Sequence, residues 1–174
     1  MRTLIIALLT VGIAGMAAAA NVDEGTYEVR TSGNIEFQSS AGTRIDLEFG
    51  IGQFLVDLLE AGVIGGIYDD DDASRWKLGG FVEYSFFTET PFFPYVGGVL
   101  SLSGADLKGG RDSENNTAIE LDSRAGVKYF LTEDLALDAL LSLQMATDDL
   151  YLDDDDAQKH NWRILFGLRY FFDM

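Results

Sequence analysis

Two runs of four aspartates are the densest groups of potential metal ligands in this sequence. Carboxylates clustered on loops suit calcium or magnesium, which prefer oxygen ligands. The spacing does not match an EF-hand loop, which needs a central glycine and a closing glutamate. A solvated, repulsive surface that keeps loops extended is the simpler explanation of the same runs, with the cation site as the alternative. The eight candidate ligands are Asp69, Asp70, Asp71, Asp72, Asp153, Asp154, Asp155 and Asp156.

The single histidine, His160, is the only imidazole that could act as a general base. Such a base needs a nucleophile within hydrogen-bond reach, and no serine lies near His160 in the sequence. Ser101, Ser103 and Ser123 cannot be placed beside it from the sequence alone. We therefore predict no catalytic residue, no cofactor and no enzyme activity.

Charged residues elsewhere follow a regular spacing, because they occupy one parity of eight alternating segments while the other parity is apolar. Such alternation predicts β-strands with one polar and one apolar face. In the last segment Trp162, Phe166 and Tyr170 alternate with Arg163 and Arg169. The predicted network of paired charges contains Arg30, Arg44, Glu48, Arg75, Lys77, Glu83, Glu120, Arg124, Lys128, Asp138, Arg163 and Arg169.

The volume of the apolar side chains decides which face lies inside. A soluble lipocalin-like barrel would turn the apolar set inward, but the interior of eight strands holds only a few bulky side chains. This sequence supplies about five bulky apolar groups per strand, which exceeds that space. The charged set fits inside because glycines such as Gly50, Gly79 and Gly126 lie on the same parity and reduce the total side-chain volume on that face. We therefore predict an all-β fold, an eight-stranded antiparallel up-and-down transmembrane β-barrel whose outer wall contacts lipid.

Length and composition agree with one exported domain. The first 20 residues have Arg2, an apolar run from Leu4 to Met16 and the small run Ala17–Ala20, which is typical of a signal peptide cleaved near Ala20. Residues 21–174 form the predicted barrel domain. No later apolar run approaches the roughly 20 residues that a membrane helix needs. The chain has no cysteine, which excludes disulfides and thiolate metal sites.

The connections between the segments alternate in length, as expected when strands run up and down through a membrane. Polar loops are predicted at 69–74, 104–116 and 148–161 and a brief link at 39–43, with short turns at 56–58, 88–91 and 132–134. Without Arg2 the chain carries 11 basic and 29 acidic residues, a net charge of −18, which excludes nucleic acid as a partner.

The interior itself is predicted to be neutral. Counting segment by segment gives eight basic and eight acidic inward residues, and a buried charge is tolerated only when paired. We therefore predict a plugged lumen, with a narrow solute channel as the alternative. The basic set is Arg30, Arg44, Arg75, Lys77, Arg124, Lys128, Arg163 and Arg169, and the acidic set is Glu28, Glu36, Asp46, Glu48, Glu83, Glu120, Asp122 and Asp138.

Aromatic residues on the outward parity lie near the segment ends, as in the aromatic girdles of membrane barrels. Trp76 and Trp162 are predicted to mark the rim on the loop side. The other rim is predicted to contain Tyr84, Phe86, Tyr129, Tyr170 and Phe172.

With these features the sequence resembles the small OmpA-like outer-membrane β-barrel family. The resemblance rests on the signal peptide, the eight segments, the turn from Gly126 through Tyr129-Phe130 to Leu135, and the aromatic last strand. It implies residence in a bacterial outer membrane, contact with its lipid and lipopolysaccharide, and insertion by the barrel assembly machinery through a C-terminal strand ending in an aromatic. Phe172 matches that aromatic, although Asp173 and Met174 follow it.

From these features we expect a structural or surface-interaction role. The contact would be made through the acidic outer loops, and the sequence does not identify their extracellular partner. Divalent cations held by the aspartate runs could bridge those loops to lipopolysaccharide phosphates. Some eight-stranded outer-membrane barrels act on lipid A or phospholipid acyl chains through histidine and serine, so such an enzyme is the alternative that His160 leaves open.

Overall fold

A computed structural model describes residues 22–38, 42–69, 73–107, 115–148, 151–153 and 156–174. The predicted signal peptide, Asp70, Asp71, Asp72, Asp154 and Asp155 lie outside these residues. Within the described part of the chain, no helix has the length and apolar character needed to cross a membrane.

Ten β-strands make up the described secondary structure, and eight of them close into one antiparallel barrel in the order β1-β10-β7-β6-β5-β4-β3-β2. Each barrel strand pairs with its neighbours in sequence, and β1 closes the cylinder against β10. The predicted fold is therefore confirmed. The strands are β1 Tyr27–Gln38, β2 Gly42–Val56, β3 Leu59–Asp69, β4 Ala73–Ser85, β5 Phe92–Leu107, β6 Asn115–Phe130, β7 Leu135–Ala146, β8 Tyr151–Asp153, β9 Asp156–Gln158 and β10 His160–Phe172.

Two loop predictions need correction. The β5–β6 ladder continues to the pair Asp106–Asn115, so residues 104–107 and 115–116 of the predicted loop at 104–116 are strand, and 108–114 lie outside the described residues. The predicted loop at 148–161 contains the small β8–β9 hairpin and the start of β10. Both differences have one cause: backbone pairing in water continues after the apolar alternation ends, so hydrophobic periodicity underestimates strand length.

The two faces of the wall are as the alternation predicts. On β10, Phe166 is 63% exposed on the outer surface, whereas Arg169 is 1% exposed inside. Large apolar side chains cover the outside on every barrel strand, and most inward positions carry polar, charged or small side chains.

The lower end, which we define as the end with the short turns, is closed by apolar side chains. Phe54, Phe93, Phe130 and Phe171 are buried there together with Val22, and their rings pack against one another with centroids 5.1 to 6.3 Å apart. The segment before β1 is held beneath the barrel, since the Leu58 amide donates to the Val22 carbonyl at 3.1 Å. The network of paired charges therefore does not extend to this end, where buried aromatic rings fill the lumen instead.

Candidate functional site in the barrel lumen

Two groups of ion pairs fill most of the lumen, one above the other. The lower cluster comprises Glu28, Arg30, Glu60, Glu83, Lys128, Asp138 and Arg169. The upper cluster, nearer the long loops, comprises Asp46, Glu48, Lys77, Glu120, Asp122, Arg124 and Arg163.

Arg30 lies at the centre of three carboxylates in the lower cluster. Its two terminal nitrogens donate to Glu60 Oε2 at 2.6 Å and to Glu83 Oε2 at 3.0 Å. Its Nε lies 2.7 Å from Glu28 Oε1 as an ion pair, although the N–H direction is unsuitable for a hydrogen bond. The guanidinium also covers the Phe81 ring at 3.8 Å, so it is held both electrostatically and by packing.

Arg169 on β10, the strand next to β1, and Lys128 on β6 complete the lower cluster. Arg169 donates to Glu83 Oε1 at 2.7 Å and to Asp138 Oδ2 at 3.0 Å, and Lys128 Nζ lies 2.7 Å from Glu83 Oε1. The Tyr95 hydroxyl donates to Asp138 at 2.9 Å, while the Tyr95 ring lies beneath the Arg169 guanidinium at 4.5 Å. Charge-assisted bonds of this kind tie four strands together across the interior.

Three glutamates of this cluster have the spacing of a metal site, because oxygens of Glu28, Glu60 and Glu83 lie within 4.8 Å of one another. The place that a cation would take is filled by the Arg30 guanidinium, which contacts all three carboxylates. A bound metal would have to displace a buried arginine, so this geometry favours an internal ion-pair cluster.

Glu48 is the centre of the upper cluster. Its carboxylate accepts hydrogen bonds from Arg124 at 2.7 Å, from Arg163 at 2.6 Å and from the Lys77 ammonium. Arg163 Nη1 also donates to both carboxylate oxygens of Asp46, at 2.7 and 3.0 Å. Arg124 Nη2 donates to Asp122 Oδ2 at 2.6 Å. Cations from β4, β6 and β10 therefore meet on one carboxylate of β2.

Apolar side chains separate the two clusters. Ile64, Phe81 and Val99 form one buried group, and Leu140 and Leu165 pack with Tyr95 in another. This belt removes hydrogen-bonding groups from the middle of the lumen, where a continuous water column would need them.

A cavity of about 30 Å³ lies at the upper mouth, lined by Asp46, Tyr68, Arg75, Arg163 and their neighbours. It is large enough for a water molecule. Arg75 lies over the Tyr68 ring at 4.0 Å at this mouth.

The structure brings together most of the predicted lumen charges. Arg30, Glu83, Lys128, Asp138 and Arg169 meet in the lower cluster. Glu48, Lys77, Glu120, Arg124 and Arg163 meet in the upper one, and Arg75 lines the mouth. Arg44 lies in β2, outside the residues whose side chains the structure describes.

Glu60 is the lumen residue that sequence reasoning missed. It is fully buried and binds Arg30, yet it was assigned no place in the network. The parity signal was present, since Leu59 and Ala61 lie on the apolar face of β3. The glycines that follow obscured it. Among side chains that the structure describes, the lumen contains eight acidic groups and seven basic ones, whereas Glu36 and Arg44 of the predicted set lie outside them.

The predicted aromatic residues lie on the outer wall at two levels. Trp76 and Trp162 are exposed towards the loop ends of β4 and β10. Near the short turns, the Tyr84 and Phe86 rings are 5.2 Å apart, and Tyr170 and Phe172 are 6.1 Å apart. Tyr129 packs against Phe92 at 4.7 Å at the same end. Whether lipid headgroups lie at these two levels remains a prediction.

The other candidate residues lie near the loop side. Asp69 is exposed at the end of β3, and the backbones of Asp153 and Asp156 face each other in the β8–β9 hairpin. The divalent-cation hypothesis therefore stays a prediction. His160 is exposed at the start of β10, whereas Ser101 and Ser103 are buried in the lumen.

Comparison with solved structures shows the same fold in other proteins. Neisserial surface protein A is 22% identical, with 84% of this chain and 97% of that chain aligned and a TM-score of 0.63. The N-terminal β-barrel domain of OprF from Pseudomonas aeruginosa is 21% identical over 86% and 98%, with a TM-score of 0.66. The outer membrane protein OprG from Pseudomonas aeruginosa is 15% identical over 91% and 99%, with a TM-score of 0.60.

Comparison with curated protein sequences gave no match. The model of the Opacity family porin proteins matches residues 53–172, which is more than half of the chain and runs from the end of β2 to the end of β10. The match names this family rather than the narrower OmpA-like one that the sequence resembles. The chain therefore belongs to the Opacity porin family and is an outer-membrane β-barrel protein of a Gram-negative bacterium.

Proposed function

We propose that this protein is a closed outer-membrane barrel with a structural or surface-interaction role, and that it does not conduct solutes. The observation that carries the proposal is the occupied lumen. Two ion-pair clusters, the apolar belt between them and the aromatic plug at the lower end fill it in successive layers. A solute would have to separate buried charge pairs, and each broken pair leaves an uncompensated charge in a poorly solvated interior.

Bilayer conductance tests the closed lumen. The purified protein, refolded into vesicles and shown by circular dichroism to be β-structured, is expected to give no steady openings after fusion with a planar bilayer. Glu48→Ala supplies a matched variant, because it frees three cations in the upper cluster but leaves the aromatic plug in place. Steady, sizeable openings of the wild-type protein would establish the narrow solute channel instead.

The outer loops are the proposed contact surface. The segments at the loop end carry most of the acidic residues outside the lumen, including both aspartate runs. Their negative charge suits an interaction with a partner at the cell surface, or with lipopolysaccharide phosphates through divalent cations. His160 has no serine near it in the sequence, so the proposal assigns it no catalytic role.

Protease treatment of intact cells tests the orientation. We expect cleavage within residues 108–114, between β5 and β6, and protection of the short turns near Asp57 and Glu133. Cells with a permeabilised outer membrane provide the control, because both sides are then accessible. Cleavage at the short turns in intact cells would reverse the proposed topology. Insertion by the barrel assembly machinery through Phe172 follows from the OmpA-like resemblance and belongs to the same proposal.

A further inference from the structure

The lower cluster contains one carboxylate more than it contains cations. All of its side chains are buried, with at most 5% of any residue exposed. Three cations can neutralise three of the four carboxylates, so one negative charge has no counter-charge within the cluster if all four are ionised. The four carboxylates are Glu28, Glu60, Glu83 and Asp138, and the three cations are Arg30, Lys128 and Arg169.

Described side chains separate this cluster from water. The aromatic plug with Phe54 and Phe171 lies below it, and the apolar belt with Ile64 and Leu165 lies above it. The outer face of the surrounding wall is apolar as well. An isolated charge is strongly unfavourable in such surroundings, and a buried acidic group avoids this cost by binding a proton. One of the four carboxylates is therefore expected to be neutral.

Three of the four carboxylates are well supported as anions. Glu28 and Glu83 each contact all three cations of the cluster, at distances of 2.7 to 3.5 Å. Asp138 accepts hydrogen bonds from Arg169 at 3.0 Å and from the Tyr95 hydroxyl at 2.9 Å. Charge-assisted bonds of this kind stabilise the ionised form, so these three groups are poor places for a proton.

Glu60 has the weakest support for a negative charge. Its Oε2 accepts a hydrogen bond from Arg30 at 2.6 Å, whereas its Oε1 has no hydrogen-bond partner among the described residues. Oε1 lies against carbon, because a Cβ added to Gly52 would lie 2.1 Å from Oε1 and 2.7 Å from Phe81 Cζ. A neutral carboxylic acid suits this position. Its carbonyl oxygen still accepts from Arg30, and an uncharged hydroxyl loses less in an apolar contact than an ionised oxygen does.

A metal ion fits the same position poorly. Hard cations such as calcium and magnesium need several oxygen ligands. The point where oxygens of Glu28, Glu60 and Glu83 converge is taken by the Arg30 guanidinium, and Glu60 Oε1 packs against Gly52. A proton needs only one oxygen, so it supplies the missing positive charge without displacing any side chain.

We propose that the lower cluster binds one proton, held by Glu60 on Oε1, in the folded barrel at neutral pH. The cluster then contains three negative and three positive charges. An ordinary glutamate is ionised at neutral pH, so folding takes up this proton from the solvent. The inference goes beyond the proposed function, because it concerns the charge of the lumen and not the passage of solutes. The ionisable groups that face Glu60 are Glu28 and Arg30 from β1, Glu83 from β4 and Lys128 from β6, while β2 meets it with the uncharged Gly52.

Infrared spectroscopy detects the proton directly, since the carbonyl band of a protonated carboxylic acid lies apart from the carboxylate and amide bands. The barrel is folded in a detergent that contains no carbonyl group. At neutral pH we expect this band in the wild-type protein and its loss in Glu60→Gln. Glu120→Gln, which removes a buried glutamate from the upper cluster, is expected to keep the band. A wild-type protein without the band, or a Glu60→Gln variant that retains it, would overturn the proposal.

The pH dependence of unfolding gives an independent measure. If the folded protein binds one proton more than the unfolded chain, raising the pH favours the unfolded chain. From about pH 5.5 to 7 the ratio of the wild-type unfolding constant to that of Glu60→Gln is therefore expected to rise about tenfold per pH unit. Groups common to both proteins, such as the exposed His160, cancel in this ratio. A ratio that does not change with pH would contradict the proposal.

Two comparisons identify the carrier of the charge. Glu28→Gln removes a carboxylate that contacts three cations, so it is expected to raise the unfolding constant at least tenfold more than Glu60→Gln. The reverse order would place the proton on Glu28 and refute the assignment to Glu60. Replacing sodium with choline at constant ionic strength is expected to leave the infrared band and the stability unchanged. A loss of stability without sodium would show that a metal ion supplies the charge instead.

Discussion

Replacing Glu83 with glutamine is expected to lower the free energy of unfolding by about 3–5 kcal/mol, the usual cost of removing one partner from a buried ion pair. The Glu83 carboxylate contacts Arg30 at 3.0 Å and both Lys128 and Arg169 at 2.7 Å. Glutamine keeps the shape but removes the negative charge, so three buried cations lose a shared counter-charge. Equilibrium unfolding by guanidinium in lipid vesicles, followed by tryptophan fluorescence, measures the change.

Glu60→Gln is the matched control and is expected to cost less than Glu83→Gln, because Glu60 contacts one cation of the cluster rather than three. Glu60 is as buried as Glu83, but one of its oxygens binds Arg30 and the other, Oε1, has no hydrogen-bond partner among the described residues. The lower cluster holds four carboxylates and three cations, so a neutral residue at position 60 leaves the remaining charges balanced. An equal loss for both variants would show that burial, rather than the number of cations contacted, sets the cost.

Placing an arginine at Val63 is expected to cost about 2–4 kcal/mol, the penalty for a cation on the lipid face at the bilayer midplane. Val63 is 57% exposed on the outer wall of β3 and lies opposite Gly80, midway between the levels of Tyr84 and Trp76. The guanidinium would be surrounded by hydrocarbon with no counter-charge. The same unfolding measurement in vesicles gives the penalty.

Ile67→Arg provides the control for depth. Ile67 is also 57% exposed on β3, but it is paired with Trp76 at the predicted loop-side rim. An arginine there can reach headgroups, so the expected cost is about 0–1 kcal/mol. If Val63→Arg costs no more than Ile67→Arg, Val63 does not lie deeper in hydrocarbon than Ile67, and the position of the membrane predicted from the aromatic residues is wrong.

The fold was predictable because the signal for it is local. On β10, Phe166 and Arg169 lie on opposite parities, and a strand alternates its side chains whatever it pairs with. The volume of the apolar set then fixed which face is outside. The strand ends were less predictable. β5 continues to Leu107 and β6 begins at Asn115, because backbone hydrogen bonds extend the pairing there without any hydrophobic pattern in the sequence.

The candidate site was only partly predictable. Inward orientation of Arg30 and Glu83 followed from alternation, but Glu60 was overlooked because the glycines after it weaken the pattern in β3. The aromatic plug of Phe54, Phe93, Phe130 and Phe171 was overlooked as well, since large apolar residues at the strand ends suit either face.

The sequence by itself determined that eight strands alternate, that the charged set is enclosed and that the outer wall is apolar, because each follows from side-chain spacing and volume. Only the tertiary structure decided that Arg30 of β1 meets Glu60 of β3 and Glu83 of β4. It alone showed which residues of β1 and β10 meet where the cylinder closes, from Tyr27–Phe172 to Gly33–Phe166. Contacts across a lumen and the closing of a cylinder depend on how all eight strands are staggered, and that stagger is a property of the assembled sheet.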